Sequence, residues 1–235
     1  MRRGRGNCAW LKTGLALAIV ACVSGGAFAL ELVAPLGVDD PVIPEANPLT
    51  PEKVALGQQL FFDPRLSADD TVSCATCHDP RKGFSNGERV GIGIRGQRGK
   101  RNVPTVLNAA LNDFYFWDGR AASLEEQALG PIQGPGEMGQ SHKATVAKLR
   151  KLKGYREQFA RAFGTEAFTI REVAAAIASF ERTLLTGNSP FDRYKFGGGG
   201  GRPDGSRGAR VRAFPGEGPL RQVPPGGRVL RPLHG

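Results

Sequence analysis

The stretch Cys74-Ala75-Thr76-Cys77-His78 constrains this chain more than any other, because it commits two thiols and an imidazole to one point of whatever fold surrounds them. Three chemistries use such a cluster: a structural zinc ion, a redox-active dithiol, or a haem held through both sulfurs and ligated by the histidine. A structural zinc needs four ligands, and beyond the pentad only His142 and His234 remain as histidines. A C-x-x-C dithiol normally opens a helix in a βαβ setting. Here Pro80 and Gly83 follow, and no strand pattern surrounds the motif. The thiol pair with an adjacent histidine is the attachment motif of c-type haem. Thioether bonds from Cys74 and Cys77 would fix the porphyrin, and His78 would reach the iron as proximal ligand. One covalently bound haem c is therefore the cofactor expected.

The N-terminus supplies the matching compartment. Arg2, Arg3 and Arg5 precede an apolar run from about Leu15 to Val23, and small residues end at Ala27-Phe28-Ala29. This is the layout of a secretory signal peptide over residues 1–29, with cleavage before Leu30, and it predicts a periplasmic protein. A bilayer span needs about 20 apolar residues, and Ser24-Gly25-Gly26 interrupts this run sooner. Ile19-Val20-Ala21-Cys22 also resembles a lipoprotein-processing site, so a lipid anchor through Cys22 is the alternative. Cleavage after Ala29 would leave Cys74 and Cys77 as the only cysteines.

The formal charge of +10 suggests a nucleic-acid partner, but its distribution argues against one. Four basic residues lie in the first 29, and seven arginines against Asp204 and Glu217 lie in 197–235, which leaves 21 basic and 20 acidic residues over 30–196. A near-neutral folded part has no basic binding face to offer.

Helical signals dominate that part. Thr50-Pro51-Glu52 reads as an N-cap, a proline at the first helical position and an acid in the first turn, opening a helix to about Phe61. Its Val54, Leu56, Leu60 and Phe61 should face a core or the haem edge. Further helices are predicted at about 122–130, 144–162 and 170–186, the last capped by Thr169 with Val173, Ile177, Phe180 and Leu184 at helical spacing. Residues 85–104 read as loop. Within it Gly91-Ile92-Gly93-Ile94-Arg95-Gly96 matches the dinucleotide fingerprint by accident, since no strand leads in and no helix follows. No stretch alternates as a strand would, so the fold class is all-α with long loops. After Phe196 the composition turns to Gly, Arg and Pro without lysine. Burial of the few apolar side chains there cannot offset the entropy of ordering them. Residues 197–235 are predicted to be a disordered tail.

Taken in order, LFFDPRLS, SCATCHDP, RNVPTVLNAA, FYFWDGRAASLEEQA, EMG and SFERTLLTGNSPFDRY resemble the N-terminal haem domain of the bacterial dihaem cytochrome c peroxidases, the family that also contains MauG. The resemblance runs from about residue 45 to 195. It implies a cytochrome c-like domain over 30–196 whose haem, carried by Cys74, Cys77 and His78, reacts with hydrogen peroxide. It further implies a small electron-donor protein, a cytochrome c or a cupredoxin, and it leaves a homodimer open. Trp117 matches the tryptophan between the family's two haems and would relay an electron. An aromatic flanked by Tyr115 and Phe116 is otherwise simple packing. Gln127 and Glu137 match the polar pair of the distal pocket, where Glu137 would be the acid/base and Gln127 would orient peroxide. Local sequence alone reads Glu137 equally well as a solvated loop carboxylate. Asn102 matches an asparagine that binds calcium between the family's domains, with a turn or capping role as the alternative.

Two departures from the pattern stand out. Many family members cap the iron with a histidine seven positions before the arginine of RN-x-PT. Here that position is Ile94, and no histidine occurs between 79 and 141. The haem should therefore be five-coordinate and open, as in MauG-like members. The second haem domain expected after SPFDRY is replaced by the Arg/Gly/Pro tail, which reads as truncation or a shifted reading frame. Three other functions remain in view: a MauG-like oxidase of a protein substrate, a single-haem electron carrier with His78/Met138 ligation, and an open haem that senses NO or CO.

Overall fold

The computed structural model describes residues 29–197. The expected signal peptide and tail lie, but for one boundary residue each, outside the described residues. Among these the fold is all-α. Seven helices, α1 (Pro51–Phe62), α2 (Cys74–Cys77), α3 (Leu124–Gln133), α4 (His142–Arg150), α5 (Lys153–Phe163), α6 (Ile170–Arg182) and α7 (Pro190–Phe196), are joined by loops with four short 3-10 turns. Three isolated bridges are the only extended pairings among the described residues.

α1 and α6 form the centre. Thr50 caps α1 by accepting from the Lys53 amide at 3.3 Å, and Asp63 closes it just before Pro64, where a preceding residue is driven out of the helical region. Leu56, Leu60 and Phe61 are buried, as the periodicity predicts, while Val54 is partly buried against the same core. α6 is capped reciprocally by Thr169 and Glu172, a capping box. The two helices meet at Gly57, where an added Cβ would lie 1.8 Å from the Ala176 carbonyl oxygen. Only a residue without a side chain allows this approach. Gly57→Ala is expected to force the pair apart and lower stability by about 3 kcal/mol, toward the upper end of overpacking costs. Urea denaturation of the haem-loaded protein measures this, and an unchanged midpoint would show that the contact yields freely.

Three helix boundaries depart from the sequence-based expectation. The helix predicted at 144–162 is two, broken where Leu152 adopts an extended conformation before α5. Leu149 and Tyr155 are both buried, yet six residues apart on a continuous helix of 3.6 residues per turn they would point about 120° away from each other. The break turns both into one core. α3 begins at Leu124, after the Ser123 cap, and runs three residues past 130, through Pro131. α6 stops at Arg182 rather than 186, with Leu184 partly buried against the core. α7 adds to the helices expected from periodicity, and Ser189, Pro190 and Asp192 spell its capping box.

Candidate active site

One cavity of about 640 Å³ gathers most of the residues that the sequence singles out: Cys74, Cys77, His78, Asn102, Trp117, Gln127, Glu137 and Met138 all line it. The volume falls within the range of cofactor pockets, about 300–1,000 Å³.

The pentad forms the floor. Ser73 and Thr76 cap α2, which places both sulfurs at the cavity. Neither cysteine is in a disulfide. Burial pushes both thiols above the ordinary cysteine range, for Cys74 with added repulsion from Glu181 and Cys77. Such thiols are not the activated thiolates of a redox dithiol. His78 Nδ1 lies 3.1 Å from the Phe84 carbonyl oxygen, so it carries the proton and donates, leaving Nε2 as the free lone pair. Burial also holds this imidazole below the usual histidine range. An imidazole oriented through Nδ1–H to a carbonyl is how proteins prepare a metal-ligating histidine. Among the described residues no three His, Cys, Asp or Glu side chains converge as a metal cluster would require. Two free sulfurs and one prepared imidazole on an apolar cavity therefore fit a haem c and do not fit a structural zinc.

The opposite wall comes from α3 and the loop after it. Gln127 and Ala128 face the cavity from α3. Beyond Gly134 the chain turns back tightly, with the Glu137 amide on the Gly134 carbonyl at 2.9 Å and the Met138 amide on that of Pro131 at 3.1 Å. The loop at 91–99 buttresses this turn: the Ile94 amide donates to the Glu137 carbonyl at 2.8 Å. Gly93 permits it, since a Cβ there would sit 2.1 Å from the Gly136 carbonyl oxygen. This is the structural use of the glycines in the accidental fingerprint. Glu137 is exposed to the cavity, and its carboxyl is raised above the ordinary range by desolvation, which the Arg120 guanidinium partly opposes.

Ile94 stands at the position that matches the family's capping histidine. Its side chain is 3% exposed, reaches toward Gly139 and belongs to the core cluster rather than to the cavity wall. Nothing at position 94 reaches the space above His78.

The mouth is the FYFWDGR segment, closed by the Tyr115 amide on the Ala121 carbonyl at 2.9 Å. Trp117 is 64% exposed, which removes the core-packing alternative. Its indole N–H donates to the Asn102 carbonyl at 2.8 Å, and Asn102 Nδ2 donates to the Glu88 carbonyl at 2.7 Å. Asn102 thus ties two loops to the tryptophan. Asp118 bridges Arg101 at 2.8 Å and Arg120 at 2.7 Å, and these guanidiniums hold its carboxyl at about 2. Arg120 also lies 3.4 Å over the Phe116 ring. Sequence reading missed Arg120, Tyr115 and Glu181, all of which line the cavity.

Comparison with known proteins agrees with this geometry. The family model described as di-haem cytochrome c peroxidase matches residues 51–199. The chain is 51% identical over 155 residues to the methylamine utilization protein MauG of Methylorubrum extorquens, covering 66% of this chain and 44% of that protein. It is 44% identical over 170 residues to the cytochrome c peroxidase Ccp of Escherichia coli K12, covering 71% and 36%. Among solved structures, a MauG-like protein associated with microbial copper homeostasis superposes with a TM-score of 0.66 at 34% identity, covering 71% of this chain and 50% of the other. The chain spans between about a third and about half the length of these relatives.

Proposed function

The chain belongs to the di-haem cytochrome c peroxidase family, and from that premise we propose that residues 29–197 form a peroxide-reacting haem domain of an exported peroxidase. Family membership carries c-type haem binding with it. The finer reading is that hydrogen peroxide is reduced to water with electrons from a small redox protein in the periplasm. A haem held here would supply the redox chemistry for peroxide reduction, with its electrons replenished by the donor protein. The chain's own residues do the rest. Cys74 and Cys77 would hold the porphyrin, and His78 would offer Nε2 to the iron. Glu137 takes the proton from the inner peroxide oxygen and returns it to the departing one, while Gln127 orients the molecule. Trp117, at the rim, is placed to pass electrons between the cavity and whatever docks there. The observation that carries this reading is the single cavity shared by the pentad, Gln127 and Glu137, with Ile94 turned away from it.

Met138 favours a second reading. It is 3% exposed and lines the same cavity, so a His/Met electron carrier is chemically available. The two readings differ in coordination. An open haem is high-spin in the ferric state and reacts with peroxide, whereas a His/Met haem is low-spin and inert. Electron paramagnetic resonance of the ferric protein, before and after hydrogen peroxide, separates them. Met138→Leu, a swap of nearly conserved volume, is expected to leave a high-spin spectrum and the peroxide reaction unchanged. A low-spin wild type that turns high-spin in this variant would replace the peroxidase by the carrier.

A further inference from the structure

Glu181 lines the cavity from α6, one turn after Ile177, and the chemistry above leaves it unused. It is 6% exposed, and its Oε2 has no hydrogen-bond partner. The neighbouring cation offers no remedy. Arg182 gives Nη1 and Nη2 to the two oxygens of Glu125, each at 2.8 Å, and Glu125 also accepts from Asn47 Nδ2 at 2.7 Å. The other ionisable groups close to Glu181, Cys74 and Tyr115, carry no positive charge and are themselves raised by burial. Burial foremost, with Glu125 repelling against the pull of Arg182, lifts the Glu181 carboxyl to about 8. Buried without a cation of its own, the carboxyl is favoured in its protonated form, which has one O–H to donate.

Buried polar groups are almost always hydrogen-bonded, and this one faces the cavity without a protein acceptor. The cavity is the side from which an acceptor can reach it. On the haem reading, the periphery of the cavity's occupant is hydrocarbon apart from its propionate carboxylates. We propose that Glu181 is a positioning residue for the cofactor, donating its carboxylic O–H to a haem propionate and so fixing the porphyrin's tilt and the charge felt at the iron.

The test uses the full chain, matured with haem in an exporting host, and compares wild type, Glu181→Gln and Glu181→Leu by the haem reduction potential at pH 7. Leucine removes the donor, leaves the propionate charge uncompensated and is expected to shift the potential downward. Glutamine keeps a neutral donor and is expected to restore it close to wild type, a rescue that a packing role would not give. Should leucine mature poorly, glutamine against wild type still decides: a glutamine variant shifted as far as a donor-free site requires would overturn the proposal. Equal potentials in wild type and the leucine variant would also overturn it while leaving the haem reading intact. Failure of the wild-type chain to bind any haem would overturn both.

Discussion

A chain carrying Cys74→Ala and Cys77→Ala together is expected to lose all covalently bound haem, seen as complete loss of haem staining on a denaturing gel. The physical case rests on what the two sulfurs do in the folded chain. They are not oxidised to each other, and both line the cavity beside His78. Burial raises both thiols, which disfavours the free thiolate that a redox or zinc role needs. The cavity's walls are largely apolar, among them Val72, Val106, Leu124 and Ile177, which suits the hydrocarbon periphery of a porphyrin. A thioether is the bond that survives denaturation, and Cys74 and Cys77 are the cysteines at the site. Single replacements are expected to leave partial staining, because one thioether still tethers the porphyrin. His78→Ala should behave differently: attachment through sulfur remains chemically open, while the ferric spectrum changes with loss of the imidazole. Staining that persisted undiminished in the double variant would place the cofactor elsewhere and remove the basis of the site.

How far the sequence foretold this arrangement depends on whether the signal was local. Thr50-Pro51-Glu52 and Thr169 mark the starts of α1 and α6 because caps act within one turn. The break at Leu152 was not legible. The apolar spacing of 144–162 is acceptable for one helix, and only the demand that Leu149 and Tyr155 share a core divides it. Ser189-Pro190-Phe191-Asp192 carries the same local cap signal, but the helix it opens has 7 residues, too few for apolar periodicity to mark it. At the site, the pentad announces itself by residue type. Gln127 and Glu137 do not: a glutamine on a helix and a glutamate after Pro-Gly look like surface residues until α3 and the returning loop bring them to the pentad's cavity. Family resemblance supplied what periodicity could not. Glu181 lies between these cases. It stands four residues after Ile177 on the apolar stripe of α6, and a carboxylate at a core register is a signal in itself, because burial of an unpaired charge is costly.

Glu137→Gln is expected to slow the reaction of the haem-loaded protein with hydrogen peroxide by about 10²–10⁴-fold, the usual contribution of a positioned acid/base. Stopped-flow spectroscopy at the haem band measures it. Glutamine keeps the size and a hydrogen-bonding amide, so a loss would belong to proton transfer rather than to shape. The pH profile sharpens the claim. As a base Glu137 acts in its ionised form, and desolvation in the cavity raises its carboxyl above the ordinary range, with Arg120 holding it back. The wild-type rate should therefore climb with pH through a window above that of a free carboxylate and then level off, and the limb should vanish in the glutamine variant. Asp118, held at about 2 by Arg101 and Arg120, stays ionised throughout the range and contributes no limb of its own. Arg120→Met removes the opposing cation, so the same limb should move to higher pH while its plateau persists. Displacement by Arg120 together with loss by Glu137 would locate the titrating group in this cavity. A glutamine variant that kept both the rate and the limb would show that protons reach peroxide by another route, and Glu137 would return to the solvated loop carboxylate that its local sequence suggests.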